Sequence, residues 1–183
     1  MTKKLGQANS NIHDISVNIR FITKSDIPLI VAAFSKHNWP KPKSTFEEYI
    51  KEQQKGTRLV WVAYYKEQFA GYITLQWQSQ YTSFQEAHIP EIVDLNVLPP
   101  FRNQGIGSRL LDVAEHEASK KSDVVGIGVG LYQDYGAAQR LYVKRGYVPN
   151  GQGVTYNYEP VAPGGAVKLD DNLVLWFTKT LKY

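Results

Sequence analysis

The ten residues from Arg102 to Leu111 read RNQGIGSRLL, with glycines at 105 and 107 where an amphipathic helical pattern begins. Glycine disfavours helix, so its place at a helix start asks for a reason. The first amides of a helix have no partner within it, and the helix dipole adds partial positive charge there. Such a start is a ready site for an anion. Gly105 and Gly107 clear the approach and permit unusual dihedrals, so the N–H groups of Asn103, Gln104, Gly105, Ile106, Gly107 and Ser108 can converge on one anionic group. Arg102 and Arg109 add charge beside it. A plain tight turn that uses glycine for backbone geometry accounts for the pair equally well. Other phosphate loops fit less well. Leu110 stands where a dinucleotide fingerprint wants its third glycine, and no Gly-Lys-Ser/Thr triplet is present.

Composition narrows the remaining chemistry. Cysteine is absent, which excludes disulfides, thiolate nucleophiles and cysteine-ligated zinc. The four histidines, at 13, 37, 88 and 116, have no metal-ligand spacing, so no metal is expected. Twenty-one basic residues exceed seventeen acidic ones, but the surplus is scattered along the chain rather than gathered in a block. That favours a solvated surface over nucleic-acid binding. The opening MTKKLGQANSN lacks an apolar core, and the run IPLIVAAF is too short to span a bilayer, so a soluble, cytoplasmic protein without a membrane partner is expected.

The elements that would carry the loop follow from periodicity. NIRFIT (18–23), RLVWVAYY (58–65), QFAGYITLQWQS (68–79), EIVDLNV (91–97), VVGIGVG (124–130), GVTYNYEPV (153–161) and NLVLWFTKTL (172–181) read as strands, with a hairpin across KEQ. Helical spacing marks KSDIPLIVAAFSKH (24–37), STFEEYIKEQQK (44–55), the segment after Gly105, and DYGAAQRLYVKRGY (134–147). Ser44 and Glu47 have the spacing of a reciprocal capping box. Lys144 and Arg145 suit the last turn of their helix, with Gly146 as a left-handed cap. YTSFQEAHIP (81–90) reads as a polar and aromatic connection. The result is a mixed α/β unit with a mainly antiparallel sheet, whose one obvious crossover is the strand-helix-strand segment 91–130.

VLPPFRNQGIGSRLL resembles the acetyl-CoA signature of the GNAT superfamily of N-acetyltransferases, [RQ]-x-x-G-x-[GA] at a strand-loop-helix junction, with Arg102, Gly105 and Gly107 in register. LYVKRGY, Leu141 to Tyr147, is similar to the family's second landmark phrase at the end of a helix. The resemblance implies a flexible segment over 1–16 and one N-acetyltransferase domain over 17–183. Its sheet would be mostly antiparallel and partly splayed, flanked by about four helices. It implies acetyl-CoA as co-substrate, its pyrophosphate on the amides of 103–108 and its pantetheine arm along Leu95, Asn96 and Val97. A primary amine would attack the thioester directly in a ternary complex, an amide near Val97 would stabilise the oxyanion, and Tyr142 would protonate the leaving thiolate.

Two positions depart from the family pattern. Val93 occupies the place where many members carry a glutamate base, which leaves Glu91 and Asp94 as the nearby carboxylates. Uniform strand alternation would put Asp94 with Asn96 on one face and Glu91 with Val93 and Leu95 on the other, which favours Asp94 for its polar neighbour. Tyr135 stands seven residues before Tyr142, where members often place an asparagine against the cofactor. The acceptor is expected to be an amine, a small molecule before a protein, in a cleft supplied with Trp39, Trp77, Tyr81, Tyr156 or Tyr158 and with Glu86 or Glu159. A homodimer is left open. Two rival readings are a non-catalytic acyl-CoA sensor and a nucleic-acid module built on Arg102, Arg109, Arg140, Lys144 and Arg145.

Overall fold

The computed structural model describes residues 17–181, so the expected flexible segment 1–16 lies outside the described residues. The chain runs β1 (Val17–Phe21), α1 (Asp26–Lys36), α2 (Lys43–Lys55), β2 (Arg58–Tyr65), β3 (Gln68–Gln76), α3 (Thr82–Glu86), β4 (Glu91–Val97), α4 (Ile106–Ser119), β5 (Val124–Gly130), α5 (Gly136–Lys144), β6 (Val148–Tyr156), β7 (Glu159–Pro160) and β8 (Leu173–Thr180). Short 3-10 turns, Pro99–Phe101 and Gln133–Tyr135, precede α4 and α5. Among the described residues the sheet is flanked by five helices, in keeping with the expected architecture, the short α3 arising where the connection after β3 winds around the buried ring of Phe84.

The strands form one sheet in the order β1-β2-β3-β4-β5-β8-β6-β7. Every neighbouring pair is antiparallel except β4 and β5, which run parallel. Those two strands pair only through Glu91 with Gly126 and Ile92 with Ile127, and beyond that register they part. The open sheet therefore has its splay at the crossover expected from the sequence.

Each face of the sheet is sealed by its own apolar cluster. Trp61, Ile73, Ile92, Val125 and Ile127 pack under Leu110, Leu111 and Ala114 of α4 and Tyr142 of α5. On the other face Val60, Val62, Phe69 and Tyr72 meet Ile30 and Phe34 of α1 and Phe46 and Ile50 of α2. Tyr81 and Phe84 form a third group with Trp176. A Cβ on Gly126 would come within 2.1 Å of the Phe84 ring, so this glycine on β5 makes room for α3.

The hairpin across Lys66 and Glu67 forms as expected, with both residues at left-handed φ (46° and 65°), the twist that suits a two-residue connection. The segment read as one strand from Gly153 to Val161 is instead two, β6 and β7, reversed at Asn157 and Tyr158, which also have positive φ. The capping box at Ser44 does not form. Pro42, extended at φ −60° and ψ 137°, is the N-cap, the helix starts at Lys43, and Glu47 pairs with Lys43 Nζ at 2.8 Å. Proline pre-sets the dihedral and a lysine four residues from a glutamate supplies a partner, so the N-cap moves two residues toward the N-terminus, from Ser44 to Pro42. Gly146, at φ 85°, takes the left-handed position after α5 as expected.

Candidate active site

The loop between β4 and α4 has free donors. Among the described residues none of the backbone amides from Asn103 to Ser108 donates to an acceptor within the chain. Asn103 (φ 59°) and Gly105 (φ 77°) are both left-handed, and Gly105 is the N-cap of α4. The two glycines thus have different duties. A Cβ at Gly105 would meet nothing within 4 Å, so its conformation is what excludes side chains, whereas one at Gly107 would make ordinary contacts with Leu141 (3.5 Å) and Val97 (3.8 Å). Ile106, the first residue of α4, is buried against the sheet and fixes the helix start to it. Arg102 folds back so that Nε donates to the Val97 carbonyl at 3.0 Å, and Gln104 Nε2 donates to the Pro100 carbonyl at 2.9 Å.

Uniform alternation stops in the middle of β4. Tyr72 pairs with Asn96 and Thr74 with Val93, so Asp94 and Leu95 together stand opposite Ile73, and Asp94 takes φ 54°. This is a β-bulge, and it shifts every later residue by one position. The Leu98 amide donates to Ala70 of β3 at 2.9 Å, so alternation turns the backbone groups of Leu95 and Val97 toward the splay with β5, while Asn96 pairs with β3. The side chains of Ile92, Leu95 and Val97 pack with the α4 cluster and Leu98 with the α1/α2 cluster. Asp94 accepts a hydrogen bond from the Tyr49 hydroxyl of α2, so it lies on the α2 face. Glu91, adjacent to Ile92, faces the same way. The bulge therefore brings together two carboxylates that uniform alternation would have separated.

Burial gives Glu91 its character. It is 6% exposed, accepts a 2.5 Å hydrogen bond from Ser79 Oγ, and is pushed up to about 7 by loss of hydration, with the Asp94 charge adding to the rise and Ser79 and Arg58 opposing it. Arg58 is itself fixed, by Glu52 at 2.6 Å, Thr74 at 2.8 Å and Gln76 at 2.9 Å, and its guanidinium sits 4.6 Å from the centre of the Tyr49 ring. Tyr49, Arg58 and Ser79 were not singled out in the sequence. They come from other elements, and no local spacing ties them to β4.

Tyr142 lies on the other side of the splay. It is 5% exposed, and its hydroxyl makes no hydrogen bond among the described residues, yet it is not sealed from solvent as the Tyr72 hydroxyl is. Burial raises its phenol well above the usual value, and the Asp94 charge adds to that, so it holds its proton at neutral pH. The helix that carries it is held by Arg145, whose guanidinium binds Glu115 at 3.0 and 2.7 Å and Asp112 at 2.7 Å. Tyr147 and Lys179 also donate to Glu115, at 3.1 and 2.6 Å. Arg145 is thus a brace between α5 and α4 more than a dipole-capping cation. Tyr135 bonds Asp171 at 2.9 Å, beside Tyr132, which bonds the same carboxylate.

Of the aromatic residues proposed to line a cleft, Tyr158 is near the carboxylates. Burial chiefly, and then the charges of Glu91 and Asp94, raise its phenol, and its ring stacks on Trp176. Trp39 packs on Phe34, Tyr81 on Trp176, Trp77 lies under Lys121, and Tyr156 bonds Asp170. Glu86 and Glu159 are exposed. A cavity of about 790 Å³ opens beside Pro90, at the end of β4 away from the glycine loop, lined in part by Glu52, Arg58, Gln76, Trp77, Ser79 and Lys121. No helix among the described residues is long and apolar enough to cross a membrane.

Known structures share this architecture. An N-acetyltransferase from Staphylococcus aureus Mu50 superposes with a TM-score of 0.67 at 19% identity, covering 91% of this chain and 99% of that one. The ribosomal-protein-alanine N-acetyltransferase of Brucella melitensis gives 0.65 at 20% identity over 89% and 99%. The yncA structure from Salmonella typhimurium, which contains its cofactor acetyl-CoA, gives 0.64 at 20% identity over 91% and 94%. No curated protein matches the chain in sequence. The family model for acetyltransferase (GNAT) proteins matches residues 28–147, more than half of the 183, and this span holds the glycine loop, the bulged strand and the braced tyrosine helix: the chain belongs to the GNAT acetyltransferase family.

Proposed function

We propose that the protein is an acetyl-CoA-dependent N-acetyltransferase that delivers the acetyl group to a primary amine by direct attack in a ternary complex. The observation that carries this reading is the run of six unpartnered amides, Asn103 to Ser108, at the mouth of the β4/β5 splay. They fit a pyrophosphate, because backbone donors around a helix N-terminus suit an anion. The outward backbone groups of Leu95 and the amide of Val97 fit an extended amide-bearing arm, which can pair with them as a strand would, while the Val97 carbonyl is held by Arg102. Bound acetyl-CoA supplies the activated acyl group.

The chain's own residues then divide the proton work. Glu91 takes the proton from the attacking amine, since a carboxyl held near 7 is half ionised at neutral pH and accepts readily. Asp94, held by Tyr49, is the second carboxylate on this face. Tyr142 retains a proton that it can donate to the departing sulfur. This assigns the base to Glu91 before Asp94, whereas polarity of neighbours alone favoured Asp94. The pair of carboxylates beside Tyr158 suits an amine that arrives protonated, and a small molecule is the preferred acceptor. Arg145 and Arg102 are committed within the fold, which weakens the nucleic-acid alternative.

The test is amine-dependent release of free thiol from acetyl-CoA across a panel of small amines and peptide N-termini. Turnover with an amine supports the reading. Tight acetyl-CoA binding without turnover on any acceptor would replace it with a sensor.

A further inference from the structure

Glu91 is nearly closed off, so a proton it accepts must leave by some path. Ser79 Oγ is the hydrogen-bonding partner of its carboxylate and also accepts from the Tyr81 amide at 2.9 Å, which fixes the hydroxyl in place. Ser79 itself is 2% exposed, yet it belongs to the wall of the 790 Å³ cavity that opens away from the glycine loop. The cavity wall is polar around it, with Gln76, Gln78, Gln80 and Gln85. We propose that Ser79 is the proton outlet of the active site, passing the proton taken up by Glu91 into the glutamine-lined cavity on the side opposite the cofactor loop. This rests on the assignment of Glu91 as the proton acceptor.

The step balances without another reactant. The amine N–H bond breaks and a Glu91 O–H bond forms. The serine O–H then rotates from the carboxylate toward water in the cavity. The Glu91 O–H donates its proton to Ser79 Oγ while the serine releases its original proton to that water, and the proton received from Glu91 is left in the starting bond to the carboxylate. The groups facing Glu91 are Arg58 from β2, Asp94 from the bulge and Tyr158 from the β6–β7 turn, in addition to Ser79. Arg58 is held by Glu52, Thr74 and Gln76 and carries donors only, so Ser79 is the hydrogen-bonded neighbour of Glu91 whose hydroxyl can both accept and release a proton.

The experiment compares the wild-type chain with Ser79→Ala and Ser79→Thr. Ser79→Ala lowers amine-dependent thiol release by at least about tenfold in dilute buffer, below the usual contribution of a positioned acid-base group because water partly substitutes. Added imidazole restores it, as an external proton carrier would, and Ser79→Thr restores it without imidazole. The ¹³C carboxyl resonance of Glu91 in the protein alone titrates with a higher midpoint in Ser79→Ala, because a bond that favours the carboxylate is lost. An active wild type with a silent Ser79→Ala, with a loss that imidazole does not repair, or with an unmoved Glu91 midpoint overturns the outlet alone. A wild type that turns over no amine overturns the proposed function and the outlet together.

Discussion

Arg145 grips both carboxylate oxygens of Glu115, thirty residues earlier in the chain, and so locks the helix that carries Tyr142 to the helix that begins at the glycine loop. Glu115 is 3% exposed and also receives Lys179 and Tyr147. Its carboxyl is lowered below the usual glutamate value: burial alone would raise it, but the bonds from Arg145 and Lys179 outweigh that.

Removing this carboxylate strands two cations. Glu115→Ala should destabilise the fold by about 3 kcal/mol, the lower end for breaking a buried pair, since Arg145 keeps Asp112. Because the folded value is lowered, the wild type's advantage over the variant is present above the usual glutamate range and fades as acid titrates the site. Urea unfolding at pH 7 and at pH 3 checks both. Equal stabilities at pH 7 would show that the brace adds nothing net.

Glu91 has the opposite linkage. Its folded value lies above the unfolded one, so the wild type is stabilised relative to Glu91→Gln below about 4.5 and loses that advantage as pH rises through about 7. A rise of this size corresponds to roughly 3 kcal/mol across the window. Glu91→Gln should therefore be more stable than wild type at pH 8 relative to pH 4, while its turnover loses the limb that rises near pH 7. Asp94→Asn should reduce amine affinity and leave that limb in place. The reverse pattern moves the base to Asp94.

Tyr142→Phe should fold with wild-type stability, because the hydroxyl it loses makes no hydrogen bond within the described chain. Acetyl-CoA affinity should be retained and turnover should fall about 10²-fold, the lower end for a positioned acid. Paired binding and thiol-release measurements check this. Full activity would reduce the ring to core packing, and lost binding would make it a cofactor contact.

The loop glycines separate conformation from clearance. Gly105→Ala should cost about 1 kcal/mol for a left-handed backbone. Gly107→Ala should cost little, because its Cβ meets only ordinary contacts. Acetyl-CoA at a hundredfold excess over its dissociation constant should stabilise the wild type by about 2.7 kcal/mol. Gly107→Asp should abolish that shift through like charge, and an undiminished thermal shift in it would place the cofactor elsewhere.

The glycine loop was legible in the sequence because anion binding at a helix start is local physics, contained in residues 102–109. The crossover, the hairpin and most strand limits were legible for the same reason. The shared face of Glu91 and Asp94 was not, because it depends on Ile73 of β3 standing opposite two residues of β4. Tyr49, Ser79 and Glu115 reach their partners across 45, 12 and 30 residues, and no periodicity records such meetings. The capping box failed where two local rules competed and the proline one residue before the helix prevailed.

The brief register between β4 and β5 makes the sheet two leaves on a narrow spine, β1–β4 and β5–β8, with ladders that are continuous within each leaf and almost absent between them. Beyond Ile92 and Ile127 no ladder pair joins the leaves, and what holds them together there is the packing of both under α4. A ligand seated on both free margins stitches them. Cofactor binding should then slow amide exchange along Leu95 to Val97 and along Gly128 to Gly130 in concert, so that the two leaves respond as one body once the seam is filled.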